Sequence, residues 1–376
     1  MQPRVLHIIP ALNQGGAEKL LFDLVCHDRQ GIDMKVITLL AEAPFFLLDD
    51  AVVSSASMER GRLSVAAIVR LRRMIREFRP DVVHAWLYHG NLFSMAGLGL
   101  RIPTVWSIHN TSLSAQHSKP LTRWANIVCA RASRIVPDCI VYCTPAARDM
   151  HEKFGYDRSR GMVIENGIDV AAFAFKLAAR KAIREAIGLP EADFAVGCIA
   201  RFDPQKNHPL LIEAFSRLTM GERAKLVLAG QGCSDDNAEL VGLLRRFGVY
   251  DRTRLLGPRR DMPAVMSALD VVVIASSYGE ALPLAAIEAA AAGLPVVTTN
   301  VGDAHGLALD PSHVVAPGDA AAIAAAIHHA QRNAAELQAR KADRLSRIMQ
   351  DFSLDKTIAR YHALYRRLAA DMPARS

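Results

Sequence analysis

Two acids, Glu280 and Glu288, stand eight residues apart in the mostly apolar run from Ser276 to Ala289. A carboxylate in such a run is costly to bury unless it is hydrogen-bonded, and ribose or sugar hydroxyls are natural donors to it. A helix starting near Leu284 puts Glu288 in its second turn and leaves Glu280 on the loop before it. Backbone N–H groups at that helix start would face anionic oxygens or hydroxyls. The same spacing also fits two plain acids on a helix surface.

Arg201 and Lys206 lie five residues apart in Arg201-Phe202-Asp203-Pro204-Gln205-Lys206-Asn207, just after an apolar strand. Two cations on a strand-to-helix loop can converge on a diphosphate. Near the start of the chain, Gly15 and Gly16 follow another apolar strand and precede a helix. Glycines there let backbone N–H groups approach a phosphate. The full dinucleotide pattern, three glycines with a ribose-binding acid, is missing. His109 closes a strand-like run, where a lone histidine is usually a packed one.

Strands alternate with helices along the chain, and that rhythm positions these residues. In the first half, strands are expected at Arg4–Pro10, Met34–Leu40, Asp81–His84 and Thr104–His109, and a helix-to-strand passage over Arg134–Cys143. A second series runs through Ala195–Ala200, Lys225–Ala229, Arg254–Leu256, Val271–Ala275 and Pro295–Thr299. Short apolar strands separated by helices imply parallel sheets covered on both faces. The segment Val170–Pro190 breaks the rhythm and reads as a linker. The expected class is α/β, two Rossmann-like doubly wound domains facing a central cleft, with domains at 1–178 and 179–352. Residues 353–376 form a last helix, from about Leu354 to Ala370, expected to pack across both.

The 376 residues carry a net charge of +7. Up to Arg180 there are 22 basic residues against 16 acidic ones, so nearly all the excess sits in the first half. Arg70, Arg72, Arg73, Arg76 and Arg79, interleaved with Leu71, Met74, Ile75 and Phe78, make a basic amphipathic helix face. Such a face suits an anionic membrane or a pyrophosphate-bearing acceptor, and equally a solvated surface helix. No zinc-finger or aromatic-basic pattern points to nucleic acid. The first apolar run, Val5–Ala11, is too short to span a bilayer and lacks the flanks of a signal peptide. The six cysteines form no C-x-x-C pair and read as reduced thiols of a cytoplasmic protein.

Together, the paired acids, the Arg201–Lys206 loop, the Gly15-Gly16 turn, Ser107-Ile108-His109-Asn110 and Asn166-Gly167-Ile168-Asp169 resemble the family-4 (group 1) glycosyltransferases over essentially the whole chain. The resemblance implies the GT-B fold and retaining transfer of a sugar from a nucleotide diphosphate sugar. Asp81–Asn91 and the Tyr278-Gly279-Glu280-Ala281-Leu282-Pro283 variant are similar to members of capsule, exopolysaccharide and lipopolysaccharide assembly. That implies a glycan or polyprenyl-diphosphate-linked acceptor and work at the inner face of the membrane. By the same resemblance Arg201 and Lys206 hold the donor diphosphate and Glu288 the ribose. Glu280 contacts the transferred sugar, with the backbone of Ala281, Leu282 and Pro283 lining the same pocket. Gly15 and Gly16 approach the phosphates, and His109 sits near donor sugar and acceptor. The family often has glycine where this chain has Ala281. No D-x-D motif is present, and Asp49-Asp50 lacks the spacing, so no metal or other cofactor is expected. The competing classes are a GT-B nucleotide-sugar epimerase and a catalytically silent nucleotide-sugar-binding subunit.

Overall fold

The computed structural model describes residues 2–28, 31–60, 64–111, 119–308, 310–339 and 341–371. The chain forms two compact units, Met1–Asn166 with Leu354–Ser376, and Gly167–Ser353.

The first unit is built on seven parallel strands: β1 (Arg4–Ile9), β2 (Asp33–Leu40), β3 (Val53–Met58), β4 (Val82–Trp86), β5 (Thr104–Ile108), β6 (Cys139–Tyr142) and β7 (Gly161–Val163). Their order is β3-β2-β1-β4-β5-β6-β7. Side chains alternate faces with period two. Val5 and Ile9 pack with Leu20, Leu21 and Leu24 of the helix Gly16–Cys26, while Leu6 and Ile8 pack with Leu71, Ile75 and Phe78 of the helix Val65–Phe78. Every residue of β4, β5 and β6 is buried, which is why these runs carry no polar alternation.

The last helix, Leu354–Ala370, keeps the bounds read from the sequence but belongs to the first unit. Leu354, Ile358, Tyr361, Leu364, Tyr365 and Leu368 join the core that holds Val5 and Ile9. Each such side chain contributes about 1.5–3 kcal/mol by leaving water. Thr357 Oγ1 donates to the Glu165 carbonyl (3.0 Å) and Arg360 to the Val163 carbonyl (2.8 Å), fixing the helix beside β7.

The second unit has six parallel strands: β8 (Phe194–Ile199), β9 (Ala224–Ala229), β10 (Thr253–Leu255), β11 (Val271–Ile274), β12 (Val296–Thr299) and β13 (Val314–Val315), in the order β10-β9-β8-β11-β12-β13. Both sheets thus reverse direction beside their first strand, between β1 and β4 and between β8 and β11. Loops leaving the carboxyl ends at such a reversal are where ligands of doubly wound sheets sit.

The expected linker is a correction. Val170–Pro190 contains the helix Leu177–Ala186, inside the second unit, and the division falls at Asn166 rather than at 178. Arg180 Nη2 and Arg184 Nη2 each donate to Asp270 (both 3.0 Å), and Arg184 Nε donates to the Ala268 carbonyl (3.1 Å). Basic residues that look like a solvated connector are instead buried anchors. β3, β7 and β13 were not foreseen, and over Arg134–Cys143 only the strand forms, the helix before it spanning Pro120–Ala132.

Candidate active site

In the second unit Arg201 and Lys206 leave the end of β8, and Glu280 leaves the end of β11, its hydrogen-bonded neighbour. The two loops are tied together. Ser277 N donates to the Gln205 carbonyl (2.9 Å), and Asn207 Nδ2 donates to Ser277 Oγ (2.8 Å). Asn207 takes a left-handed conformation (φ 51°) and caps the helix His208–Ser216, its side chain accepting from Leu210 N. That turn aims Lys206 at β11, and Lys206 Nζ pairs with Glu280 Oε1. Ser276 Oγ donates to the same carboxylate oxygen (2.6 Å). Thr299 Oγ1, from the end of β12, donates to the Ser276 carbonyl (2.6 Å).

Glu280 and Glu288 are both buried, and the helix Leu284–Ala291 begins where the sequence placed it. Pro283 is its N-cap, while Ala281 and Leu282 are buried beside Glu280. Arg201 Nε is buried and has no hydrogen-bond partner among the described residues, where buried donors are normally paired.

The first unit carries the other expected residues along the carboxyl edge of its sheet. Gly15, in extended conformation, is the N-cap of the helix Gly16–Cys26 after β1, at the reversal point. The Glu18 carboxylate folds back over Gly15, where a Cβ would meet it. His109 follows β5, and its ring stacks on Trp86 at 5.4 Å between centroids and 13° between planes. Both its ring nitrogens are buried, and among the described residues neither makes a hydrogen bond of good geometry, the Asn166 side chain being near. Burial lowers its pKa to about 4, against an opposing pull from Asn166. The imidazole is therefore neutral near pH 7, able to give or take one hydrogen bond.

Three features of the second unit escaped the sequence reading. Asp303 Oδ2 is buried without a hydrogen-bond partner among the described residues, while Asp303 N donates to the Ala281 carbonyl (2.9 Å). Gly302 (φ 61°) lies so close that a Cβ would overlap the Glu280 carbonyl. After β9, Gly230 and Gly232 both have positive φ, and Phe202 N donates to the Gln231 carbonyl between them (2.8 Å). The signals were a strand followed by Val301-Gly302-Asp303 and one followed by Gly230-Gln231-Gly232. The five arginines of the basic helix are less free than their pattern implied. Arg70 donates to the Ala56 carbonyl, Arg72 to those of Ala96 and Leu98, and Arg73 pairs with Glu77. Arg79 is a left-handed C-cap and Arg76 is exposed.

Residues 179–346 match the family model of glycosyl transferases group 1, and residues 14–172 match that of glycosyltransferase family 4. A glycogen synthase of Mycobacterium tuberculosis is 30% identical over 79% of this chain and 71% of its own length. The solved structure of Alr3699/HepE from Anabaena, in complex with UDP and glucose, superposes with a TM-score of 0.84 at 20% identity, covering 97% of this chain and all of that one. WaaG, a glycosyltransferase involved in lipopolysaccharide biosynthesis, superposes with a TM-score of 0.74 at 16% identity over 96% and 99% of the two chains.

Proposed function

The chain belongs to the family-4, group 1 glycosyltransferases of GT-B fold, and from that premise we propose that it moves a hexose from a nucleotide diphosphate sugar to a glycan or polyprenyl-diphosphate-linked acceptor of cell-envelope polysaccharide. The observation that carries the donor half is the meeting of Lys206, Ser276 and Glu280 at the reversal point of the second sheet, with Arg201 on the same loop after β8. Cations beside a buried carboxylate suit a diphosphate joined to a hydroxyl-rich sugar. Binding of UDP and glucose by the Anabaena protein supports a nucleotide sugar as donor.

In this reading Arg201 and Lys206 hold the diphosphate and offset the charge that grows on it as the sugar leaves. Glu280, with Ala281, Leu282 and Pro283 around it, orients the sugar, and Glu288 takes the ribose hydroxyls. Gly15 and Gly16 offer backbone N–H groups to phosphate oxygens. Neutral His109 hydrogen-bonds at the reacting end without acting as a nucleophile. Two fixed cations serve as charge sink, so transfer needs no metal. Configuration is retained by acceptor attack on the face the leaving group vacates, and the departing phosphate takes the acceptor proton. The envelope role rests on the similarity of Asp81–Asn91 to such enzymes and is supported by the likeness to WaaG.

The test is a thermal-shift screen over UDP-, GDP- and ADP-sugars, then product linkage analysis with lipid-linked acceptors and a glucan primer. Nucleotide diphosphate released only with an acceptor present, and an α-linked product from an α-donor, support the reading. Transfer to the glucan primer alone would replace the acceptor. Interconversion of sugars without acceptor would mark an epimerase, and donor binding with no turnover a silent subunit.

A further inference from the structure

From Val82 to Pro137 the chain contains no Asp or Glu, while Arg101, Lys119, Arg123, Arg131 and Arg134 fall within it. At the end of this stretch lies the helix Pro120–Ala132, and its exposed residues are unlike those of an ordinary surface helix. Leu121 is 44% exposed, Trp124 46%, and Ile135, just beyond the helix, 78%. Ala125, Asn126, Cys129 and Ala130 face the core. At 3.6 residues per turn Leu121, Trp124, Ile127 and Arg131 share the opposite arc, with Arg123 on its flank. Arg134 lies near Asp157, and among the described residues no salt bridge holds Lys119, Arg123 or Arg131.

We propose that this arc, Leu121, Trp124, Ile127 and Ile135 set among Lys119, Arg123, Arg131 and Arg134, docks the protein onto the surface of an anionic lipid bilayer. A tryptophan with aliphatic neighbours enters the headgroup boundary, where an indole keeps its apolar body in lipid and its N–H wet. The cations then meet lipid phosphates instead of losing their hydration to an apolar partner. A second copy of the same face is a poor occupant, because two-fold pairing would set like charges against one another.

The crossover from β5 to β6 runs antiparallel to its strands, so the first turn of this helix lies at the carboxyl edge of the sheet, the edge that carries His109. The proposal deepens the transfer reading, on whose lipid-linked acceptor it rests for its purpose. It lays the bilayer along this helix, with Leu121 and Trp124 at the edge where a lipid-borne headgroup would be met and Arg131, Arg134 and Ile135 toward the opposite edge.

Trp124 makes the test direct. Trp86 and Trp106 are fully buried, so it is the one tryptophan of three that lipid can reach. Full-length protein is mixed with phosphatidylcholine vesicles, with and without phosphatidylglycerol, and with brominated lipid. Anionic vesicles should shift tryptophan emission to the blue, brominated lipid should quench it, and high salt should reverse both. Arg123→Glu with Arg131→Glu, and separately Leu121→Ser with Ile135→Ser, should each weaken partitioning about tenfold. Circular dichroism checks that these variants are folded. Emission unchanged by anionic vesicles, or binding unchanged in the Arg123→Glu, Arg131→Glu protein, overturns the proposal. So does a concentration-dependent dimer, dissolved by Trp124→Ser, that ignores vesicles. A donor-induced thermal shift read on the same samples separates the two readings. Vesicle binding lost with the donor shift intact removes docking alone, and the converse removes the transferase assignment alone.

Discussion

Lys206 and Glu280, 74 residues apart in sequence, meet as an ion pair whose carboxylate is also held by Ser276. The pair welds the loops leaving β8 and β11, so each residue is oriented by the other. Lys206→Ala should lower turnover about a hundredfold, the scale of losing one preorganised charge at a leaving group. Glu280→Gln keeps an oxygen for Ser276 but loses the charge facing Lys206, and should also lower turnover. The measurement is steady-state kinetics with the donor found by screening, beside thermal melts of both variants. Full activity in Lys206→Ala would remove this pair from the reaction.

Gly302 sets where that carboxylate's backbone lies. Its φ of 61° is left-handed, and a Cβ would overlap the Glu280 carbonyl. Gly302→Ala should therefore push the loop Glu280–Ala281 away, destabilise the protein by about 1–3 kcal/mol and reduce donor binding. Gly318 is the control, with φ of 86° and open space around its Cβ position. Gly318→Ala should cost only about 1 kcal/mol of backbone strain and leave donor binding alone. Equal effects on donor affinity would mean that Gly302 does not position Glu280.

The strand rhythm was legible because most strands are buried on both faces, which writes them as unbroken apolar runs. β3 was missed because its Ser-Ser-Ala-Ser stretch, Ser54–Ser57, carries no such signal. The start of the helix at Leu284 was legible from Pro283 before an Ala-rich run. Asp303 and Gly302 were not, since their meaning lies in contacts with Glu280 and Ala281 made through the fold. The supposed linker failed for the same kind of reason. A run rich in Ala, Lys and Arg reads as exposed, yet Arg184 is buried because Asp270, 86 residues away, receives it.

That burial can be tested. Arg184 donates to Asp270 and to the carbonyls of Ala268, Pro190, Glu191 and Asp193. Asp270 in turn accepts from Ala195 N (2.7 Å) at the start of β8. Removing one member of a buried ionic network leaves the rest uncompensated. Arg184→Ala should destabilise the second unit by about 3–5 kcal/mol, read in denaturant titrations. Tryptophan emission, which arises wholly from the first unit, should change little at the same midpoint. A loss below about 1 kcal/mol would make this helix a loosely attached connector after all.

Acid should act the other way, on the first unit before the second. Burial lowers the pKa of His7 to about 3 and of His109 and His151 to about 4, and holds His84 well below its ordinary value of 6.5. In the second unit His208 is lowered to about 4. All five are neutral in both folded and unfolded chains above pH 7, so they contribute no pH dependence there. Below 6.5 the unfolded chain takes up protons that the folded chain refuses, and stability falls as pH drops toward 4. A shift from 6.5 to about 4 corresponds to roughly 3 kcal/mol per group. Four of these histidines lie in the first unit, beside Trp86 and on β1, β4 and the helix Pro145–Phe154. Equilibrium unfolding followed by tryptophan emission should therefore shift between pH 6.5 and 4 more steeply than unfolding followed by far-ultraviolet circular dichroism, which averages both units. His151→Gln, at a site where Nδ1 faces the Ala147 carbonyl and Nε2 the Tyr88 hydroxyl, should flatten the tryptophan-detected slope without touching the candidate site. Coincident slopes from the two probes, or a His151→Gln protein with the slope of the parent, would show that these imidazoles are not the groups that take up the acid.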